Sequence, residues 1–333
     1  LNAKETSETF LNQKNIKQKN MKQKNPADSV NRMARIGRQL VMNRWMYAMM
    51  VPGILYFVLF RYVPMWGVVI SFQDYQPFLG ISGSEWVGMK HFDRLFSSPD
   101  FWLLFKNTLM LFIWDLTFAF SIPIVLALML NELRSQFFKR AVQTMIYIPH
   151  FMSWVIVVSL TYIMLTTEGG IVNDLLVKWG GEPVNFMLSQ GWFRPLYTIQ
   201  TIWKEAGWGT IIYLAALSGV DQQLYEAARM DGASRWKQMW HVTLPGIRGT
   251  IVVLLILKVG DMLDLSFDHV FLMINSMNRE VADVFDTFVY LTGISQGQFS
   301  YSTAIGLFKS AVGLVMVVAA NRLAKMLGEE GIY

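Results

Sequence analysis

Six runs of mostly apolar residues, each long enough to cross a bilayer, constrain this chain more than any other feature. A helix rising 1.5 Å per residue needs about 20 such residues to span about 30 Å of hydrocarbon. The runs are roughly Tyr47–Phe72, Phe101–Leu130, Ala141–Leu165, Leu196–Leu217, Ile247–Ile274 and Ser302–Ala320. Only 16% of the 333 residues are charged, against the roughly 25% usual in soluble domains. The expected fold is therefore an all-α integral membrane protein with six transmembrane helices over residues 46–325, set in a cell membrane.

The net charge of +5 is concentrated at one end, because residues 1–45 hold ten basic and three acidic side chains. Gln-Lys-Asn recurs there at 13–15, 18–20 and 23–25, a tract too polar to bury a core, so a disordered basic cytoplasmic arm is expected over 1–45. A cleaved signal peptide is not expected. The first apolar run begins only near Met46, is longer than an h-region and lacks a small-x-small cleavage site. Leu1 in place of Met points to an unusual start codon or a trimmed start, and nothing else rests on it. With the arm inside, the loops at 131–140 and 218–246 and the tail at 326–333 are cytoplasmic, and 73–100, 166–195 and 275–301 face outward. Nineteen Lys and Arg then fall inside and five outside, which fits the positive-inside rule with both termini in the cytoplasm.

Several chemistries have no residues to support them. The chain has no cysteine, hence no disulfide framework, thiolate zinc site or Cys nucleophile. No G-x-x-x-x-G-K-[ST] loop cradles a nucleoside triphosphate, and Gly207-Trp-Gly209 lacks the third glycine of a dinucleotide site. His91, His150, His241 and His269 are scattered without metal-ligand spacing, and no G-x-S-x-G elbow occurs. No cofactor is expected in this chain, nor a nucleic-acid partner, and an enzyme reading has little to stand on.

The loop from Asp221 reads as a helix from about Gln222 to Met230 ended by Gly232, which takes the left-handed conformation that stops a helix. A second helix follows from about Ser234 to Trp240. Ala227 and Ala228 leave a smooth surface with Glu226 beside it, which suits either a helix lying on the membrane or a docking element for another protein.

Charges inside the apolar runs are costly and normally face protein or water. Arg61, Asp115, Lys204, Glu205, Lys258, Asp261, Asp264, Asp268 and Lys309 fall there. Asp261, Asp264 and Asp268 recur at spacings of three and four, which puts them on one face of a continuous fifth helix with Lys258. That face is either an interhelical ion-pair network or a polar wall for a sugar. Trp208, Phe267, Asp268 and His269 have the chemistry sugars need: planar hydrogen-bonding groups, and aromatic faces against C–H surfaces.

Glu226-Ala-Ala, then Asp231-Gly-Ala, then Leu244-Pro245 resembles the E-A-A loop of permease subunits in binding-protein-dependent type I ABC importers. The segment Trp86-Val-Gly-Met-Lys-His-Phe92, with Phe101-Trp102 and Lys106-Asn107-Thr108, is similar to the approach to the second span in carbohydrate-uptake permeases. Trp203-Lys-Glu-Ala-Gly-Trp-Gly-Thr210 with Tyr213-Leu-Ala-Ala-Leu217, and Phe267-Asp-His-Val270, resemble the subgroup handling complex oligosaccharides. The resemblance implies a sugar or oligosaccharide import subunit working by alternating access. It implies a second, different permease, two ATPase subunits that bind ATP and Mg, and an extracytoplasmic solute-binding protein. It also implies a coupling helix at 221–245, with Tyr225, Glu226, Ala227, Ala228, Asp231 and Gly232 on the ATPase. Lys204, Glu205, Trp208, Asp264, Phe267, Asp268 and His269 then lie on the substrate path. The rival from another class is a secondary transporter using Asp261, Asp264 and Asp268 for protons or cations, but the inverted repeats it requires are not visible.

The topology is open to a direct test, since any introduced cysteine is unique in the chain. Cysteines replacing Ser29 and Ser234 should resist an impermeant thiol reagent added to intact cells and react once the membrane is opened. Labelling from outside would overturn the orientation.

Overall fold

The computed structural model describes residues 41–329 together with 39, 331 and 332. The expected arm lies outside the described residues except for its last few positions. The chain divides into two compact units, Leu1–Gly67 and Val68–Tyr333.

In the first unit, helix α1 (Arg44–Phe57) runs on through a π-helical turn at Val58–Tyr62. Every residue from 41 to 66 is exposed, Trp45 at 72% and Met49 at 77%. A helix apolar all round has no stable home in water, whereas hydrocarbon satisfies it.

The second unit opens with a two-stranded hairpin, β1 (Gln73–Asp74) against β2 (Glu85–Trp86), antiparallel with Gln73 opposite Trp86. This small sheet departs from the all-α expectation, but the rest is helical. Helices α2 (Lys90–Ser97) and α3 (Pro99–Trp114) follow, then a π-turn at Asp115–Ala119 and α4 (Ser121–Glu132). After them come α5 (Gln136–Tyr147), α6 (Trp154–Leu165), α7 (Ile171–Lys178) and the 29-residue α8 (Gln190–Ser218). The chain ends with α9 (Gln222–Met230), α10 (Arg235–Gln238), α11 (Arg248–Gly260), α12 (Phe267–Met273), α13 (Phe285–Tyr290) and α14 (Phe299–Met326).

Serine caps start many of these helices where the sequence turns from loop to apolar run. Ser98, Ser135, Ser153 and Ser234 accept the backbone N–H of Asp100, Phe138, Ile156 and Lys237, satisfying donors a helix start leaves open. Helix α8 runs through the middle of the unit, with α3 to α6 and then α11 and α12 packed around it. Polarity is inverted relative to a soluble protein. Asn107, Asp115, Asn173 and His269 are buried while Ile163, Leu314 and Val315 are more than 60% exposed, the pattern expected when the outer solvent is lipid.

Two of the six expected spans are broken. Helices α5 and α6 meet at an elbow of 102° around the 3₁₀ turn Ile148–Phe151, where Pro149 has no N–H for a continuing helix. The fifth run holds α11 and α12 separated by the non-helical residues 261–266, so Asp261, Asp264 and Asp268 do not share one helix face as their spacing implied. Among the described residues three stretches, Arg44–Phe72, Pro99–Glu132 and Phe299–Met326, are long and apolar enough to cross a membrane, or five if the bent pairs Gln136–Phe151 with Trp154–Leu165 and Arg235–Gly246 with Arg248–Gly260 (57°) each count as one span. Helix α8 is not among them: Lys204 and Glu205 sit in its middle, and eleven of its residues are buried.

The elbow lies directly on α8 at Gly207, where a Cβ would collide with the Ile146 carbonyl. Only glycine permits this approach. Gly207→Leu should destabilise the folded protein by about 1–3 kcal/mol, the usual cost of overpacking, or prevent its assembly. A thermal unfolding scan in detergent checks this, with Gly191→Leu, which meets only a serine hydroxyl at 3.8 Å, expected to change little.

Candidate solute path and coupling loop

The elbow presents His150, and α8 presents the adjacent Lys204 and Glu205 with Trp208 one turn on. Lys204 Nζ donates to the His150 carbonyl at 3.0 Å and to Glu205 Oε1 at 2.8 Å. His150 Nδ1 donates to Glu205 Oε2 at 2.8 Å. The imidazole lies flat on the Trp208 indole, centroids 4.5 Å apart and 6° from parallel. The Lys204 ammonium, almost fully buried, also sits 5.1 Å from the Trp154 ring centroid, a cation–π contact. Three of the expected path residues, Lys204, Glu205 and Trp208, are thus brought together with His150 and Trp154, which sequence reasoning had not picked out. The available signal was a polar ring following Pro149 inside an apolar run.

A second charged group bridges α3 and α11. The π-turn starting at Asp115 turns its carboxylate onto Lys258, with Asp115 buried and Lys258 partly exposed. A third ties α14 to the break in the fifth run: Lys309 pairs with Asp286 and, at 3.4 Å, with Asp264, while the Leu265 N–H donates to Asp286 Oδ2. Three cavities line up along these groups. One of about 360 Å³ reaches Trp208, Glu205 and Asp115, one of about 210 Å³ reaches Trp154, Glu205 and Asp264, and one of about 440 Å³ reaches Asp264, Asp286 and Lys309. Asp261 borders all three.

The remaining expected path residues are dispersed. Asp264 is exposed at the cavities. Phe267 stacks on Phe271 and meets Tyr290 at a tilt of 46°, and Asp268 is exposed. His269 is wholly buried, sandwiched between Trp154 and Tyr197 at centroid distances of 3.7 and 4.3 Å, with Nε2 donating to Gln200 Oε1 at 2.6 Å. In this conformation it has no surface to offer a solute, contrary to the expectation from its chemistry.

In the 275–301 segment, Asn107 of α3 donates to the Glu280 and Asp283 carbonyls and accepts from Arg194 of α8. Burial raises the Asp283 carboxyl above its ordinary range, offset in part by the Thr287 hydroxyl and by Arg279 at 3.5 Å. That segment is therefore pinned to α3 and α8 rather than free.

Helix α9 spans the expected Gln222–Met230. Asp221 caps it by accepting the Gln223 N–H at 2.9 Å. Gly232 at φ +74° ends it, with the Gly232 N–H on the Arg229 carbonyl and the Ala233 N–H on the Ala228 carbonyl, the paired bonds of a Schellman stop. Tyr225 points into the body: it is partly buried against the cluster that includes Leu217, Val220 and Ile247, and its hydroxyl donates to Thr243 Oγ1 at 3.0 Å. Ala228 is half-buried on that side, whereas Glu226, Ala227, Asp231 and Gly232 are exposed. Tyr225 is thus the foot of the helix, and Glu226 and Ala227 belong to its presented surface.

The long apolar helices, the polar interior and the capped two-helix loop are the features to set beside known proteins. The chain belongs to the family of binding-protein-dependent transport system inner membrane components, whose model matches residues 119–329. It is 65% identical over 89% of its length to the polygalacturonan/rhamnogalacturonan transport system permease protein YteP of Bacillus subtilis, covering 92% of that protein. It is 55% identical to Protein LplB of the same organism over 87% of this chain and 92% of that one. Among solved structures it resembles a chain of a bacterial alginate ABC transporter in complex with a periplasmic protein bound to an alginate pentasaccharide. The TM-score is 0.82 and the identity 38%, covering 90% of this chain and all of that one.

Removing one partner from a buried pair costs about 3–5 kcal/mol, while replacing both by apolar groups is often neutral. Lys258→Met should therefore destabilise the protein strongly, and adding Asp115→Leu should restore its thermal stability. Failure of the double variant to recover would show that Asp115 is held by something other than Lys258.

Proposed function

We propose that this chain is one of two permease subunits in an ATP-driven importer for oligosaccharides derived from an acidic polysaccharide. The second permease is a different chain, and two ATPase subunits bind ATP and Mg. An extracytoplasmic solute-binding protein delivers the sugar. Both termini and the α9 loop face the cytoplasm in a six-span topology, with the bent pairs and α8 each counted as spans. The substrate class is supported by the relatives, which are named for polygalacturonan, rhamnogalacturonan and alginate. It is also supported by the cavities along α8, which combine an aromatic plate with hydrogen-bonding groups.

Coupling follows from how α9 is seated. Its Tyr225 foot is anchored to Thr243 while Glu226 and Ala227 stand exposed, so a push on the exposed face is delivered to the body through Tyr225 and, via the cluster it packs on, which holds the Leu217 end of α8, toward Trp208 and Glu205. Glu226 supplies a carboxylate for a charge-assisted hydrogen bond to a basic group of the ATPase. Closure of the ATPase pair on ATP then moves the loop, and the cavities open alternately to the two sides of the membrane.

Glu226→Ala should weaken ATPase association by about 1.5–3 kcal/mol, the worth of a hydrogen bond to a charged group. Ala227→Trp should overpack the docking face. Both should leave insertion and folding intact, since neither side chain is buried. Co-purification of the ATPase and solute-stimulated hydrolysis read the outcome, and unmodified levels in both variants would remove the coupling role from this loop.

A further inference from the structure

A cavity of about 740 Å³, larger than any of the three along α8, opens beside α9. Its walls come from the turn between α4 and α5, the Leu217 end of α8, and the helices α9 and α10. Gln222, Tyr225 and Arg229 line it at spacings of three and four, so the Tyr225 side of α9 faces it, and Glu226 is not part of the wall. Three arginines border the space, Arg134 from the turn, Arg229 from α9 and Arg235 from α10, against a single acid, Glu132. Glu132 is taken up by Arg235 at 3.6 Å. Arg134 and Arg229 are exposed, and their guanidinium groups have no partner among the described residues. Phe137, Phe138 and Trp236, close in sequence to Arg134 and Arg235, are exposed too, as aromatic residues at a membrane surface are.

We infer that this pocket binds a phosphate-bearing anion on the cytoplasmic side, through Arg134 and Arg229 with Arg235 as the third wall. Like charges bordering one cavity repel, and an anion seated among them turns that repulsion into attraction. The guanidinium fork matches phosphate oxygens two at a time. Here the forks come from three separate elements. A tetrahedral phosphate offers acceptors in several directions, whereas a carboxylate offers two in one plane. The volume falls within the range of small-ligand sites, about 300–1,000 Å³, so the phosphate carries an organic group, either an anionic lipid headgroup or a soluble ester. Basic pockets between membrane helices on the cytoplasmic side hold anionic headgroups in this way. A phosphate bound here ties the α4–α5 turn to α9, and its presence sets how firmly α9 is held to the body. The inference rests on the proposed function for the side of the membrane this loop faces, while its test reads binding alone and is separate from transport.

Gln222→Cys gives this chain a single thiol on the cavity wall, at an exposed position. In the assembled importer in nanodiscs, the rate at which an alkylating reagent modifies that thiol is read by mass. A lipid source predicts slow alkylation in phosphatidylglycerol discs and fast alkylation in phosphatidylcholine discs. A soluble source predicts that glycerol 3-phosphate slows it in phosphatidylcholine discs, and either pattern supports the site. Arg134→Gln with Arg229→Gln should weaken the protecting ligand roughly tenfold or more, as loss of charge-assisted hydrogen bonds implies. Arg229→Lys keeps the charge without the fork and should weaken it less than the double change. Both arginines are exposed, so an unaltered thermal midpoint without ligand is expected and shows that folding is intact. Protection by neither phosphate, or protection indifferent to the arginines, would overturn the site. Trigalacturonate protecting as well as glycerol 3-phosphate would overturn the ligand class. A thiol unreactive in phosphatidylcholine discs, or loss of ATPase co-purification in the double variant, would assign these arginines to the ATPase contact instead.

Discussion

The pairing of Asp115 with Lys258 fixes the geometry on which the rest of the interior depends. An isolated charge in hydrocarbon is expensive, so each partner confines the other. Asp115 heads a π-turn, a local widening of the helix that re-aims a side chain, and the pair holds α3 to α11 across the cavity junction. Such a pair contributes little net stability compared with an apolar packing of equal volume. Its consequence is a unique arrangement: the helices cannot slide without stranding a charge. Lys309 does the same between α14 and Asp286, and Lys204 between α8 and the elbow.

Breaks in the helices fall where those charges are. The irregular stretch after Gly260 lines the polar cavities, and the elbow at Ile148–Phe151 leads into Trp154, which lines one of them; in a membrane non-helical backbone is tolerated only where protein or water satisfies it. Lys204 supplies one such partner directly, by donating to the His150 carbonyl. The Leu265 N–H is satisfied in the same way by Asp286. A helix that broke against lipid would have no such donors or acceptors. Interior polarity and broken spans are thus one design, and the exposed apolar faces of α1 and α14 are its complement.

Local features were legible in the sequence and non-local ones were not. The bounds of α9 follow from Asp221, Gly232 and the residues between them, because caps and left-handed stops act within a few positions. Which way Tyr225 points did not follow, since its partner Thr243 lies eighteen residues on, across the loop. The shared face of Asp261, Asp264 and Asp268 presupposed a continuous helix, and the break after Gly260 removed it. His269 has the chemistry of a sugar contact, but Trp154, Tyr197 and Gln200, which enclose it, come from two other helices. The elbow had a local sign in Pro149. Its 102° angle depends on the close approach at Gly207, which no window around Pro149 contains.

The polar belt between α3, α8 and α11 should be the route of the solute rather than a set of helix ties. Transport by proteoliposomes holding the assembled importer, with ATP inside and the binding protein outside, measures this most directly when the belt is narrowed without altering its charges. Thr201 lines the 210 and 360 Å³ cavities, and Thr201→Trp should abolish oligosaccharide accumulation while assembly and ATP hydrolysis without solute persist. Accumulation at the unmodified rate in that variant would contradict the assignment of the belt as the path.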